Sequence, residues 1–330
     1  MFAPRYAVAV AVLGVLAACT DAPTAPDPAR HQLAVPTSSN QSAEAALGRL
    51  IFFDARLSFN QNQSCASCHD PTSGWTGPQW SVNAQGAVFE GSIAGRFGNR
   101  KPPSSAYATL SPVLYLALEG SDALFVGGNF WDGRATGERL ASPSAEQALG
   151  PFLNPLEQAL GAPGDVVSRI CAGPYAAHFT AVWGPDVCDP ANVRQAYDAV
   201  GLSIAAFEGS VESNAFSSKF DAYIRGAARL THEEEQGLRL FKGKAKCAAC
   251  HVLDGGPNGE ALFTDFTYDN IGVPKNPANP FYAGSPAFVD LGWAGSSLRA
   301  TTTRRGQGRI AASRRCRRCA TSTCGPGPAS

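Results

Sequence analysis

The chain has 330 residues, 44% hydrophobic and 16% charged. That composition excludes long disordered charged tracts and leaves room for more than one packed core. Its 27 basic and 27 acidic residues cancel formally, yet eight arginines lie between Arg299 and Arg318 and no acid follows Asp290. The body of the chain is therefore acidic, which argues against a nucleic-acid partner. Met1 is the only methionine, so no thioether of this chain is a candidate metal ligand.

Residues 1–18 read as an export signal. Arg5 precedes an apolar run from Tyr6 to Ala18 that is too short for a membrane span. The run ends in Leu16-Ala17-Ala18-Cys19, which resembles the lipobox of bacterial lipoproteins, with Cys19 as the lipidated residue. The alternative is an ordinary signal peptide followed by an incidental cysteine. Residues 19–43 form a tether, rich in Ala, Pro, Thr and Ser up to Gln41. Either reading places the protein outside the cytoplasm, exported to the periplasm, and leaves a lipid anchor as its only membrane attachment.

Glu44 to Phe53 has helical periodicity and leads into Cys65-Ala66-Ser67-Cys68-His69. Val193, Tyr197, Val200, Ile204 and Phe207 recur at helical spacing, so 192–209 is expected to be a core helix. Thr231 and Glu234 form a capping box for a helix that carries Leu238, Leu240 and Phe241 and runs to Gly243. Cys247-Ala248-Ala249-Cys250-His251 follows. A helix, a link and CxxCH, twice over, indicates two related modules. Long Gly- and Pro-rich loops fill Pro71 to Pro112 and Asp254 to Pro286, and no alternating run demands a sheet. The expectation is a mainly α, loop-rich fold.

CxxCH has a direct chemical rationale. Two thiols form thioethers with haem vinyl groups, and the adjacent histidine ligates the iron. Zinc is the rival for a Cys/His set; export and repetition of the full pentapeptide favour two covalently attached haem c groups. The first is held by Cys65, Cys68 and His69 and the second by Cys247, Cys250 and His251. Cys171 and Cys188 flank a short loop in an exported chain, which suggests a structural disulfide, with two buried thiols as the alternative.

Several runs resemble the bacterial dihaem cytochrome c peroxidases, including the MauG-like enzymes, from about Ala46 to Gly292. They are LGRLIFFDARLS before the first CxxCH, Phe130-Trp131-Asp132-Gly133-Arg134, EQALGPFLNPLE from Glu146 to Glu157, FDAYIRG from Phe220, GLRLFKGKAKCAACH from Gly237 and LFTDFTYDNIGVP from Leu262. The resemblance implies two cytochrome c-like domains with long loops. Residues 44–225 would form the peroxidatic domain and residues 226–292 an incomplete electron-transfer domain. It also implies that Gln147 and Glu157 line the open face of the first haem and that Trp131 relays electrons between the haems. Chemistry agrees for Glu157, since a partly buried carboxylate can move a proton between the oxygens of a peroxide. Read from position alone, Ser144 and Gln147 form a capping box, Glu157 is a solvated turn residue and Trp131 a core aromatic.

The inactive forms of many relatives have a loop histidine that caps the peroxide haem. Here none lies between His69 and His178; His31 is in the tether, His232 opens a helix and His178 reads as a surface or core residue. A five-coordinate first haem is therefore expected. Family calcium binding is doubtful, because Arg100-Lys101-Pro102-Pro103 puts a lysine where relatives have an asparagine ligand. The implied substrate is hydrogen peroxide and the implied donor a small c-type cytochrome or copper protein. The alternatives are MauG-like oxidation of a partner protein, a plain electron carrier and an inactive product.

Residues 293–330 form an aberrant Arg/Ser/Thr/Cys-rich tail. One reading is a genuine basic tail. The other is a reading-frame shift near Gly292. With codons begun one base earlier and wobble bases chosen freely, Trp293 to Ser297 can become LGGFL and Cys316 to Gly325 can become VPTLRNVDLR, two family motifs in order. On that reading Cys316, Cys319 and Cys324 are artefacts rather than a metal site.

Overall fold

Helices form where apolar residues recur at helical spacing behind a capping side chain. The computed structural model describes residues 42–79, 81, 88–119, 122–269 and 272–292, all in the unit Pro36–Ser330. The export signal, Cys19, the tether through residue 41 and the tail from Trp293 lie outside the described residues.

Helix α1 (Ala43–Phe52) opens on Ser42, whose hydroxyl accepts from the Ala45 amide at 3.1 Å, and buries Leu47, Ile51 and Phe52. A two-stranded antiparallel hairpin follows, β1 (Tyr115–Glu119) and β2 (Asp122–Val126), with Tyr115 opposite Val126 and Glu119 opposite Asp122. This corrects the expectation that no run demanded a sheet. A signal is present in the sequence, where two apolar runs flank the dipeptide Gly-Ser, a pair that favours hairpin turns.

Helix α2 (Pro143–Leu153) is capped by Ser142, not by Ser144. Ser144 is buried with its hydroxyl 2.8 Å from the Asn129 carboxamide. Helices α3 (Pro163–Cys171), α4 (Ala176–Trp183) and α5 (Val193–Glu208) complete the core. A Cys171–Cys188 disulfide ties the end of α3 to the turn after α4. Beyond the core lie α6 (Lys219–Ile224), α7 (His232–Lys242) and the one-turn α8 (Phe281–Gly284). The Thr231 capping box opens α7 and Gly243 ends it, as the sequence indicates.

Helix α5 is the hub, with α1, α2 and α3 packed around it. Ile204, Val200 and Phe207 are fully buried there with Phe152, Phe179 and Ile170, each contributing about 1.5–3 kcal/mol of burial. Two crossings are close enough to require glycine. A Cβ on Gly48 of α1 would lie 1.8 Å from the Ser203 carbonyl oxygen, and one on Gly201 would lie 2.5 Å from the Ala145 carbonyl oxygen.

The segment after the second CxxCH is strapped across the loops beside the first. The Gly127 amide donates to the Phe266 carbonyl at 2.9 Å, and the Tyr268 hydroxyl donates to the Gly127 carbonyl at 2.8 Å. Arg100 forms a bidentate pair with Asp290, both contacts at 2.6 Å, and also meets Asp132 at 2.9 Å.

Gly48→Ala and Gly201→Ala are each expected to destabilise the protein by about 1–3 kcal/mol through overpacking. Gly237→Ala on the exposed α7, where nothing lies within 4 Å, should instead stabilise it by about 0.5–1 kcal/mol. Urea denaturation of the three variants checks the contrast.

Candidate active site

The first CxxCH is a single tight turn, Cys65–Ser67, in which the Cys68 and His69 amides donate to the Cys65 carbonyl at 3.1 and 2.9 Å. The second repeats it: the Cys250 and His251 amides donate to the Cys247 carbonyl at 3.3 and 2.9 Å. Each turn puts two thiols and an imidazole on one short stretch of backbone.

The rings are oriented alike. His69 Nδ1 lies 3.1 Å from the Trp75 carbonyl oxygen, and His251 Nδ1 lies 2.8 Å from that of Phe263. A carbonyl only accepts, so Nδ1 carries the proton and Nε2 keeps its lone pair for a metal. Burial pushes the His69 pKa down, which favours the neutral ligand form. Both acceptor residues hold left-handed backbone, with φ of 58° at Trp75 and 57° at Phe263. Such a conformation is costly for a bulky residue and persists where its surroundings enforce it. At Trp75 the enforcement is visible, because its ring packs on Phe52 and Phe207 at 5.8 and 5.7 Å.

A cavity opens beside His69. It brings together Cys65, Cys68 and His69 with Trp131, Gln147 and Glu157, residues drawn from four separate stretches of the sequence. Cys247, Cys250 and His251 stand apart from it, and Cys250 is exposed. Gln147 projects from α2. Glu157 follows that helix in a turn built by Asn154, whose Oδ1 accepts from the Leu156 amide at 3.0 Å while its Nδ2 donates to Glu157 Oε1 at 2.9 Å. Desolvation raises the Glu157 pKa, opposed by the charge of Arg134 and the Asn154 hydrogen bond. The solvated-turn reading of Glu157 therefore does not describe it. Nor is Trp131 a core aromatic: it is 56% exposed, with Nε1 donating to the Lys101 carbonyl at 2.8 Å.

Sequence reasoning missed Trp75, Asn154, Arg134 and Glu208 as parts of this site. Asn154 and Arg134 sit inside the quoted runs, so their positions were marked though their roles were not. Trp75 and Glu208 carry no spacing signal, because one acts through its backbone and the other through the end of a core helix. Lys101 Nζ donates to Thr76 Oγ1 at 2.9 Å, and His178 is exposed on α4.

The residues fit a c-type haem. A neutral imidazole, held by the Trp75 carbonyl, stands beside two thiols on the wall of the cavity. Buried Gln63 Oε1 and Gln158 Oε1 at its edge have no hydrogen-bond donor from the protein. Among the described residues no three His, Cys, Asp or Glu side chains converge as a closed zinc site requires. Among the described residues His69 is the only histidine on the cavity wall. No helix among the described residues is long and apolar enough to cross a membrane.

Comparison with known proteins agrees with this site. A family model described as di-haem cytochrome c peroxidase matches residues 42–229. The methylamine utilization protein MauG of Paracoccus denitrificans (strain Pd 1222) is 37% identical over 236 residues, covering 71% of this chain and 58% of the relative. The cytochrome c551 peroxidase of Nitrosomonas europaea is 29% identical over 280 residues, covering 83% of this chain and 67% of its own length. The crystal structure of the diheme peroxidase BthA from Burkholderia thailandensis E264 superposes with a TM-score of 0.68 at 33% identity, over 79% of this chain and 61% of that one. This chain thus spans well under the whole length of the relatives it matches. On the matched runs, the paired CxxCH turns and the shared helical fold, the chain belongs to the di-haem cytochrome c peroxidase family.

Proposed function

We propose that this chain is an exported dihaem c-type peroxidase, lipid-anchored in the periplasm through Cys19, that reduces hydrogen peroxide to water. Residues 44–225 would be its peroxidatic domain and residues 226–292 its electron-transfer domain. The observation that carries the reading is the single cavity shared by Cys65, Cys68, His69, Gln147 and Glu157.

A haem bound through Cys65, Cys68 and His69 supplies redox-active iron at the cavity wall, and one bound through Cys247, Cys250 and His251 supplies a second. Peroxide bond cleavage requires a proton to leave one oxygen and reach the other. Glu157 does this from its desolvated turn, taking the proton as carboxylate and returning it as carboxylic acid, so that the leaving oxygen departs as water. Gln147 orients the peroxide by hydrogen bonding. Arg134, held by Asp132 at 2.8 Å, favours the ionised form of Glu157 against its desolvation. Trp131, fixed by its bond to the Lys101 carbonyl, offers an indole as the relay from the second module. A small c-type cytochrome or copper protein donates the electrons, and the acidic body suits a basic docking face. Among the described residues no second histidine lines the cavity, so a haem held there would be expected to give a high-spin spectrum when oxidised.

The 37% identity to MauG favours a second reading, oxidative modification of a partner protein. Stopped-flow mixing of the holoprotein with peroxide and a reduced small cytochrome separates the two. Rapid oxidation of the cytochrome supports the peroxidase; slow turnover with partner cross-linking supports the second reading. Two low-spin, six-coordinate haems and a Glu157→Ala variant without effect would make the chain a plain electron carrier.

Glu157→Gln is expected to lower kcat/KM for peroxide by about 10²–10⁴ while leaving haem content unchanged. Activity requires ionised Glu157, so it should fall as pH drops through a pKa lying above the ordinary carboxylate value. Asn154→Ala removes a hydrogen bond that favours the charged form, so this acid limb should move to higher pH. A pH–rate profile of the wild type and the variant reads both effects.

A further inference from the structure

Glu208 has no part in the chemistry above, yet it lies on the same cavity. It ends α5, is 3% exposed, and lines the wall with Cys65. Among the described residues no hydrogen bond or ion pair engages its carboxyl. Its charge is felt at the first attachment turn, where it helps to push up the Cys65 thiol. A carboxyl so placed is costly to ionise, and burial alone pushes it up to about 8.

The other ionisable groups around it are committed elsewhere. On the cavity wall, Arg100 is paired with Asp290 and Asp132, Arg134 with Asp132, and Lys101 with Thr76. Glu157 is engaged by Asn154, and His69 by Trp75. Of the helices packed on α5, α1 carries Glu44 and Arg49, the latter in an ion pair with Glu212; α2 carries Glu146, which accepts from the Gly137, Arg139 and Leu140 amides. Helix α3 carries Asp165, which caps its own first turn, and Arg169, which donates to the Arg56 and Ser58 carbonyls. Burial is the sole influence on Glu208, and no cation compensates it.

We propose that Glu208 is the proton-uptake group coupled to reduction of the haem held by Cys65, Cys68 and His69. The inference rests on the haem reading of the first cavity. With haem bound there, a one-electron reductant, the donor protein or an electrode, would convert iron(III) to iron(II) and so remove one positive charge from the cavity. The Glu208 carboxylate, which that charge had favoured through a low-dielectric wall, then binds one proton from solvent and becomes the acid. Reoxidation returns the electron to the acceptor and the proton to solvent.

Spectroelectrochemical titration of the holoprotein, with two covalent haems verified by mass, tests this between pH 5 and 9. The wild-type midpoint of the first haem should fall toward tenfold in equilibrium constant per pH unit, which is ~59 mV for one electron. Glu208→Gln, an isostere of the neutral form, should flatten that slope, and Glu157→Gln should retain it. Redox-difference infrared spectra of the wild type should gain a protonated-carboxyl band on reduction that Glu208→Gln lacks. A slope and band unchanged in Glu208→Gln, or a wild type with neither, overturns the proposal and leaves the peroxidase reading standing. A chain that binds no haem at Cys65 and Cys68 overturns both.

Discussion

The hydrogen bond from each CxxCH imidazole to a backbone carbonyl is the constraint around which this structure is arranged. It fixes the tautomer, and with it which nitrogen faces a metal. Its acceptor comes in both modules from an aromatic residue in left-handed backbone, Trp75 or Phe263. Neither conformation is favourable locally, so packing must hold it. At Trp75 the ring is clamped by Phe52 from α1 and Phe207 from α5. The core thereby reaches the candidate iron ligand through one side chain and one carbonyl.

The same core places other residues of the cavity. Helix α2 can carry Gln147 to the cavity only because it crosses α5 closely, and Gly201 permits that crossing. The Asn154 turn then carries Glu157 back over the cavity. Two carboxyls end up on one cavity in different company: Glu157 with a cation and a hydrogen-bond donor, Glu208 with neither. Differences of that kind are how one cavity assigns different protonation tasks to identical side chains.

What was legible in the sequence was local or chemically distinctive. Thr231 and Gly243 bound a helix because capping is a short-range competition for backbone groups, and CxxCH announces itself because few other chemistries need it. The pairing of β1 with β2 was legible in principle, because Gly-Ser separates their two apolar runs. Trp75 was not legible: its contribution is a carbonyl, which every residue has, in a backbone conformation imposed by distant rings. Glu208 was hidden for the opposite reason, since its place in an apolar helical stripe suggests only a helix end. Gln147, Glu157 and Trp131 share a cavity with His69 through long-range packing that no spacing encodes.

The two modules also show that motif geometry and core formation are separable. Their turns have the same hydrogen bonds and their histidines the same carbonyl partner, because these depend on a few residues of backbone. Their burial differs sharply. Around His69 the rings of Phe52, Trp75 and Phe207 are all nearly inaccessible, whereas α7 buries none of its side chains and Leu240 and Phe263 are 53% and 41% exposed. The rings near His251, Phe241 and Phe263, touch one another edge to face at 5.9 Å without closing a core. Among the described residues, the segment around the second turn is tied to that around the first by the Phe266–Gly127 and Tyr268–Gly127 hydrogen bonds and the Arg100–Asp290 pair. Those ties end on the loops that carry Lys101 and Trp131. Anything that loosens the second module therefore acts on the wall of the first cavity.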